Sequence, residues 1–253
     1  MGVEDKLLSD KVIIVTGAGR GIGQAMAYVF AQNGAVVYAT DVRHGSIEEW
    51  NKDVCEAISG NIRSIYFDIC SEQDVKTAVM GIKKECGHID GLVNNAGIEF
   101  NELIGMIDPD NMQKMFSVNV FGTINMLQAV SRIMGRQEKG GSIVNISSMT
   151  ALRGNRGQLV YSATKGAVVS LTKSAAKELA DKKIRVNAIA PGLTKTPMMQ
   201  QADQDKLRKR IENICMGRLA EPEDIAKACM FMLSDLSEYV SGQILAVDGC
   251  TIM

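Results

Sequence analysis

The chain has 253 residues, 46% hydrophobic and 23% charged, with a formal net charge of −1. A chain of this length buries a core without disulfides or metals, and its composition is neither that of a disordered nor of a collagen-like segment. Nearly balanced charge leaves no field to gather nucleic acid or an anionic membrane, and the one concentrated basic stretch, Lys206–Arg210, is flanked by acids. The cysteines, at positions 55, 70, 86, 215, 229 and 250, form no C-x-x-C pair and have no histidine at ligand spacing. They read as thiols of a reducing compartment, and no metal site is expected. The first ten residues are charged, and no apolar run approaches the ~20 residues of a bilayer span, so a cytoplasmic protein is expected.

Short apolar runs alternate with helical patterns along the whole chain. Lys11–Thr16 reads as a buried strand and Gly21–Asn33 as a helix closed by Asn33-Gly34. Ala35–Thr40 is a second strand and Ile62–Asp68 a third, followed by a helix over Glu72–Cys86. Ile89–Asn94 is a fourth strand, Asn111–Gly135 a long helical stretch, and Gly141–Ser147 a fifth strand. Val160–Asp181 is helical, Ile184–Ala190 is a sixth strand, Pro222–Leu233 is a helix with proline at its start, and Gln243–Val247 is a seventh strand. The strands are continuous apolar runs, which predicts a parallel sheet covered on both faces. The repeated strand–helix order predicts one α/β domain over residues 1–253, a doubly wound Rossmann-type sheet of about seven strands with helices on both faces. Polar, charged Gly192–Gly217 is expected to form a lid.

Thr16-Gly-Ala-Gly-Arg-Gly-Ile-Gly23 lies between the first strand and the first helix. Glycines let the backbone turn sharply and approach a pyrophosphate, and the helix N-terminus offers N–H donors. A nucleotide site is expected there. Asp41, at the end of the second strand, stands where a carboxylate takes the adenosine ribose hydroxyls and repels a 2′-phosphate. It favours NAD(H) over NADP(H), while Arg20 and Arg43 pull the other way. Asp68 stands at the end of the third strand, as an acceptor for the adenine amino group or as a helix N-terminal carboxylate.

Tyr161-Ser-Ala-Thr-Lys165 puts a phenol and an ammonium one helical turn apart. A free phenol, pKa about 10, is a poor base at neutral pH, and a neighbouring ammonium lowers that value, which makes the pair a general acid/base. Ser148, at the end of the fifth strand, is placed to hold a substrate oxygen. Asn119 sits in the long helix before it, where an amide otherwise bonds locally.

These pieces, with Asn94-Asn-Ala-Gly97, Pro191-Gly192, Thr196 and Asp248-Gly249, come in an order that resembles the short-chain dehydrogenase/reductase family over nearly the whole chain. The resemblance implies hydride transfer between a nicotinamide cofactor and a ketone or secondary alcohol. It gives Tyr161 the proton, Lys165 the nicotinamide ribose and the lowering of the Tyr161 pKa, Ser148 the substrate oxygen, and Asn119 a water leading from Lys165 to solvent. Gly17, Arg20, Gly21, Ile22 and Gly23 would line the pyrophosphate, with Asp41, Asp68, Ile69, Asn95 and Gly97 along the adenosine half. Pro191, Gly192, Thr194 and Thr196 would meet the nicotinamide end; Thr194 replaces the branched aliphatic residue more usual in the family. The substrate pocket would draw on Ile98, Glu99, Phe100, Thr150, Ala151, Leu152, Gln158 and Met198, besides Ser148 and Tyr161. Among members, bacterial 3-oxoacyl-(acyl-carrier-protein) reductases are the most similar in general pattern. The reading is therefore a 3-oxoacyl-thioester reductase, with an NAD-dependent dehydrogenase of a sugar, polyol, steroid or 3-hydroxyacyl alcohol as the alternative. A catalytically silent nucleotide-binding redox sensor is a remote alternative, since Ser148, Tyr161 and Lys165 are all present. Family members are mostly homotetramers, some dimers. The long helices and the apolar ending from Val247 to Met253 are the expected contacts.

Overall fold

The computed structural model describes residues 6–196 and 210–252. Met198, most of the Lys206–Arg210 stretch and the middle of the expected lid lie outside the described residues. Seven strands, all parallel, form one sheet: β1 (Val12–Thr16), β2 (Val36–Asp41), β3 (Ile62–Tyr66), β4 (Gly91–Asn94), β5 (Gly141–Ile146), β6 (Ile184–Pro191) and β7 (Ile244–Val247). Their order is β3-β2-β1-β4-β5-β6-β7, the doubly wound arrangement expected from the alternating pattern. The helices are α1 (Gly21–Gln32), α2 (Glu48–Asn51), α3 (Glu56–Ser59), α4 (Glu72–Cys86), α5 (Pro109–Phe116), α6 (Thr123–Met134), α7 (Met149–Arg153), α8 (Leu159–Leu179) and α9 (Pro222–Leu233).

Period-two alternation sends each strand's side chains to two separate cores. From β1, Ile13 and Val15 enter the core beneath α1 and α9. Val12 and Ile14 enter the core beneath α4, α6 and α8. All five β1 residues are buried, so the strand reads as an unbroken apolar run.

Helix ends follow local chemistry. Ser71 caps α4 by accepting from the Asp74 amide, and Gly87 ends it in the left-handed region at φ 80°. Glu221 and Asp224 form a capping box around Pro222 at the start of α9. The expected helix over 111–135 is in fact three pieces. Asp108 and Pro109 start α5 two residues earlier than hydrophobic periodicity suggests, and residues Ser117–Gly122 widen into a π turn before α6 begins. The small helices α2, α3 and α7 are too short to carry a periodic signal. The third and fifth strands end earlier than expected, so Asp68 and Ser148 lie beyond strand ends, with Ser148 as the N-cap of α7.

A polar chain crosses the core between β4, β5 and α8. Asn94 Nδ2 donates to Asn145 Oδ1 at 2.8 Å, Asn145 Nδ2 donates to Thr172 Oγ1 at 2.9 Å, and Thr172 Oγ1 donates to the Val168 carbonyl at 2.7 Å. All three polar side chains are buried. Asn145→Ala removes the middle member and leaves a buried donor without a partner, a loss of about 1–3 kcal/mol. By contrast, Lys11 pairs at 2.7 Å with Asp235, whose side chain is 89% exposed, so Lys11→Ala is expected to lose under about 1 kcal/mol. Urea unfolding at fixed protein concentration reads both, and equal losses would deny the polar chain its role in stability.

Candidate active site

In an open parallel sheet, a crevice forms where the strand order reverses, here between β1 and β4. Thr16, the last residue of β1, holds it open. Its Oγ1 accepts the Asn95 and Ala96 amides, each at 3.0 Å, and donates to the Val93 carbonyl at 3.3 Å. Asn95 reciprocates through Nδ2, donating to the Thr16 carbonyl at 2.8 Å and the Gly17 carbonyl at 3.0 Å. The glycine loop is thus latched to the loop after β4.

Two adjoining cavities run along this crevice and share Ile22, Asn95, Gly97, Ile98 and Thr196. The first, about 440 Å³, is lined by Gly17, Arg20, Gly21, Ile22, Gly23, Asp41, Asp68 and Ile69, among others. The second, about 390 Å³, is lined by Glu99, Ser148, Thr150, Gln158, Tyr161, Lys165, Pro191, Gly192 and Thr194, among others. The described residues thus bring nearly all the sequence-predicted positions into one elongated cleft. Leu152 is exposed and lies outside both linings, as do Phe100 and Ala151. Leu152 stands on α7 beyond the residue that turns into the cleft. The cleft also gathers residues that motif reasoning missed. Asn155, Leu193, Arg210, Asn213, Thr251 and Ile252 line the second cavity, and Val42, Phe67 and Val118 the first. Most of them come from loops, where no spacing rule operates, while Val118 stands in the π turn and Arg210 in a helical turn.

The glycine-lined end of the first cavity fits a pyrophosphate. A Cβ on Gly17 would lie 2.8 Å from the Ala96 backbone, and one on Gly23 only 2.2 Å from the Gly17 carbonyl. Helix α1 starts there with no side-chain cap and no acid in its first turn, so its free N–H groups favour an anion. Asp41 is built into the loop: Oδ2 accepts the Gly19 amide and Oδ1 the Arg43 amide, both at 3.0 Å. Beside it, the buried hydroxyl of Ser46 has no hydrogen-bond partner and lies 2.5 Å from where a Cβ of Gly19 would be. Asp68 is exposed and accepts the Cys70 amide at 2.8 Å, so it closes a turn ahead of α4 rather than capping the helix.

In the second cavity, Ser148 Oγ accepts the Thr150 amide at 3.2 Å and the Thr150 hydroxyl at 3.1 Å, and stands with Tyr161 on the same cavity lining. Lys165 is 4% exposed. Its Nζ donates to the Ile146 carbonyl at 2.8 Å and stands 5.8 Å from the Tyr161 ring centroid. Asn119 is fully buried in the π turn. Its Oδ1 accepts the Ile98 amide at 2.8 Å, and its Nδ2 donates to the Ile98 carbonyl at 2.9 Å and Thr164 Oγ1 at 3.1 Å. The amide therefore fixes the backbone of Ile98 at the junction of the cavities.

The electrostatics differ from the sequence expectation. Burial pushes the Tyr161 phenol well above its ordinary value, the Glu99 carboxylate pushes it further, and the Ser148 hydroxyl opposes them. The ammonium was expected to lower the phenol, yet Lys165 is itself pushed down to about 8 by burial, with Glu99 opposing. The carboxylate that acts on both groups is anchored from α8, because Gln158 Nε2 donates to Glu99 and Asn155 donates to Gln158 Oε1 at 2.7 Å. Among the described residues no cluster of His, Cys, Asp and Glu is placed to hold a metal, and no helix is long and apolar enough to cross a membrane.

Comparison with known proteins agrees with this geometry. The family described as enoyl-(acyl carrier protein) reductase matches residues 17–250. A 3-oxoacyl-(acyl-carrier-protein) reductase of Thermotoga maritima is 38% identical over 242 residues, 96% of this chain and 98% of the relative. A 3alpha-hydroxysteroid dehydrogenase of Mediterraneibacter gnavus is 39% identical over 244 residues, 96% and 97% of the two chains. The human 3-oxoacyl-(acyl-carrier-protein) reductase is 38% identical over 240 residues, 95% and 97%. Full-length identity to several such enzymes, on a sheet of this order with a serine, tyrosine and lysine around one cavity, places the chain in the short-chain dehydrogenase/reductase family of oxidoreductases acting on CH–OH groups.

Proposed function

We propose that the protein reduces the ketone of a 3-oxoacyl thioester to a secondary alcohol with a nicotinamide dinucleotide, NADH in preference to NADPH. The observation that carries the reading is the meeting of Ser148, Tyr161 and Lys165 at the inner end of a cleft whose outer end is a glycine cradle. The relatives named for 3-oxoacyl-(acyl-carrier-protein) substrates support the substrate class.

A bound nicotinamide dinucleotide would lie along Gly17, Arg20, Gly21, Ile22 and Gly23, with Asp41, Asp68, Ile69, Asn95 and Gly97 on the adenosine side and Pro191, Gly192, Thr194 and Thr196 at the nicotinamide end. It supplies the hydride. Ser148 donates a hydrogen bond to the substrate carbonyl oxygen and holds it beside Tyr161. Tyr161 keeps its proton at neutral pH, because burial and Glu99 disfavour the phenolate, and gives it to the oxygen as negative charge develops there. Lys165 is held by the Ile146 carbonyl near the ribose position. Asn119 positions Ile98 and so fixes the cavity wall. Gln158 and Glu99 form the substrate side.

A second reading, oxidation of a secondary alcohol by NAD, is favoured by Asp41, whose negative charge opposes a 2′-phosphate, and by the steroid dehydrogenase among the relatives. Exposed apolar side chains along α5 and α6 (Met112, Phe121, Ile124) and near the C-terminus (Leu245, Ile252) support a homotetramer or dimer. Unpaired thiols support a cytoplasmic location. The segment 192–217 is proposed as the substrate lid of a one-domain chain.

Acetoacetyl thioester reduction followed by loss of nicotinamide absorbance tests the main reading against NAD-dependent oxidation of a hydroxysteroid. Turnover of the steroid alone would replace the main reading with the second. In Tyr161→Phe, kcat is expected to fall by about 10²–10⁴ while NADH affinity by fluorescence titration stays within about twofold; a near-normal rate would remove Tyr161 from the proton step. In Asp41→Ala, the preference for NADH over NADPH is expected to narrow at least about tenfold, equivalent to ~1.4 kcal/mol. Unchanged affinities for both would refute Asp41 as the selector. In Glu99→Gln, loss of the carboxylate removes one cause that raises the phenol. The alkaline limb of the reduction rate should therefore move to lower pH, and an unmoved limb would separate Glu99 from the proton chemistry.

A further inference from the structure

At the far wall of the second cavity, residues 213–216 run antiparallel against 249–252. Ile214 and Thr251 are bridge partners. The Ile252 amide donates to the Asn213 carbonyl at 2.7 Å, the Cys215 amide to the Cys250 carbonyl at 3.3 Å, and the Met216 amide to the Gly249 carbonyl at 3.1 Å. This register sets Cys215 directly opposite Cys250. Antiparallel partners joined by a main-chain hydrogen bond hold their Cα atoms about 5.5 Å apart, inside the ~4.4–6.8 Å range of a disulfide. The Cys250 thiol lies close enough to Cys215 to raise its pKa, and both residues are exposed. Cys250 has φ 59°, a region that residues other than glycine rarely occupy, and the Cys250 amide donates to Asp248 Oδ1 at 3.1 Å. Two other cysteines have different surroundings: Cys229 is buried in the core and Cys86 Sγ lies 3.0 Å from the Tyr38 hydroxyl.

We propose that Cys215 and Cys250 form a site of reversible oxidative modification, closed to an intramolecular disulfide by low-molecular-weight disulfides such as oxidised glutathione. One protein thiolate attacks a sulfur of the reagent and expels a small thiolate. The second protein thiolate then attacks the protein-bound sulfur of that mixed disulfide and expels the other. The two cysteines together lose two protons and two electrons, and the reagent is reduced to two thiols. Partial desolvation and the Cys250 thiol both keep the proton on Cys215, so closure speeds up as pH rises. The site adjoins the cleft because Asn213, Thr251 and Ile252 line it, and Arg153 of α7 donates to the Thr251 carbonyl. A crosslink therefore stiffens one wall of the substrate cavity whatever the substrate is.

The test treats the full-length protein with oxidised glutathione at pH 8, alkylates the remaining thiols and maps peptides without reduction. The expected product is lighter by two hydrogen atoms, links the peptide holding Cys215 to the C-terminal peptide, and reverts with dithiothreitol. The linkage should persist in Cys229→Ala and vanish in Cys215→Ser and in Cys250→Ser. Closure should raise the thermal midpoint by about 5 °C. Stable glutathione adducts on both thiols without closure would overturn the proposal. So would a linkage that survives in Cys250→Ser, or one that joins two chains on a non-reducing gel.

Discussion

Thr16 is the joint on which the site depends. Its hydroxyl ties the end of β1 to the loop after β4, and Asn95 returns the tie to the glycine loop. With those bonds in place the loops that leave β1 and β4 keep a fixed spacing at the carboxyl edge of the sheet, and the crevice beside them stays open. Asp41 supports the same loop from the other side through the Gly19 amide. A single carboxylate thereby braces the glycine loop and sets the charge at its rim.

Burial governs the inner half of the cleft. A lysine that is almost wholly enclosed has its pKa drawn down, and an enclosed phenol has its own raised. Neither shift needs the other group. Sequence spacing places Tyr161 and Lys165 on one helical face and suggests a direct pair. The folded geometry instead hands the lysine to the Ile146 carbonyl and lets Glu99 bias both groups from the cavity wall. A carboxylate two positions beyond a loop glycine carries no motif, so its influence becomes visible only when the loop is folded against the N-cap of α8.

The legible features were those with strong local rules. Unbroken apolar runs gave seven strands, and glycine spacing between a strand and a helix gave the cradle. Order along the chain brought Ser148, Tyr161 and Lys165 together. What escaped was tertiary. The π turn at Asn119 has no sequence period of its own, and the Asn94–Asn145–Thr172 chain joins residues that look like interruptions in apolar elements. The cavity wall formed by Asn213, Thr251 and Ile252 exists only because residues 249–252 pair with 213–216, segments distant in sequence. The resemblance puts Leu152 in the substrate pocket, whereas on the five-residue α7 it is exposed and outside both cavity linings.

The order of the strands has a consequence for how the molecule assembles. β1 pairs with β4 through Ile13 and Gly91, Ile14 and Leu92, and Val15 and Val93, partners that are distant in sequence. Such pairings require long loops to close before any contact rewards them, which slows folding. The β1–β2–β3 half can gather from neighbouring segments, but the crevice and its Thr16–Asn95 joint come into being only when the two halves of the sheet meet. The cleft is therefore among the last parts of the molecule to acquire its shape, and a nascent chain has no nucleotide cradle until β4 has been made.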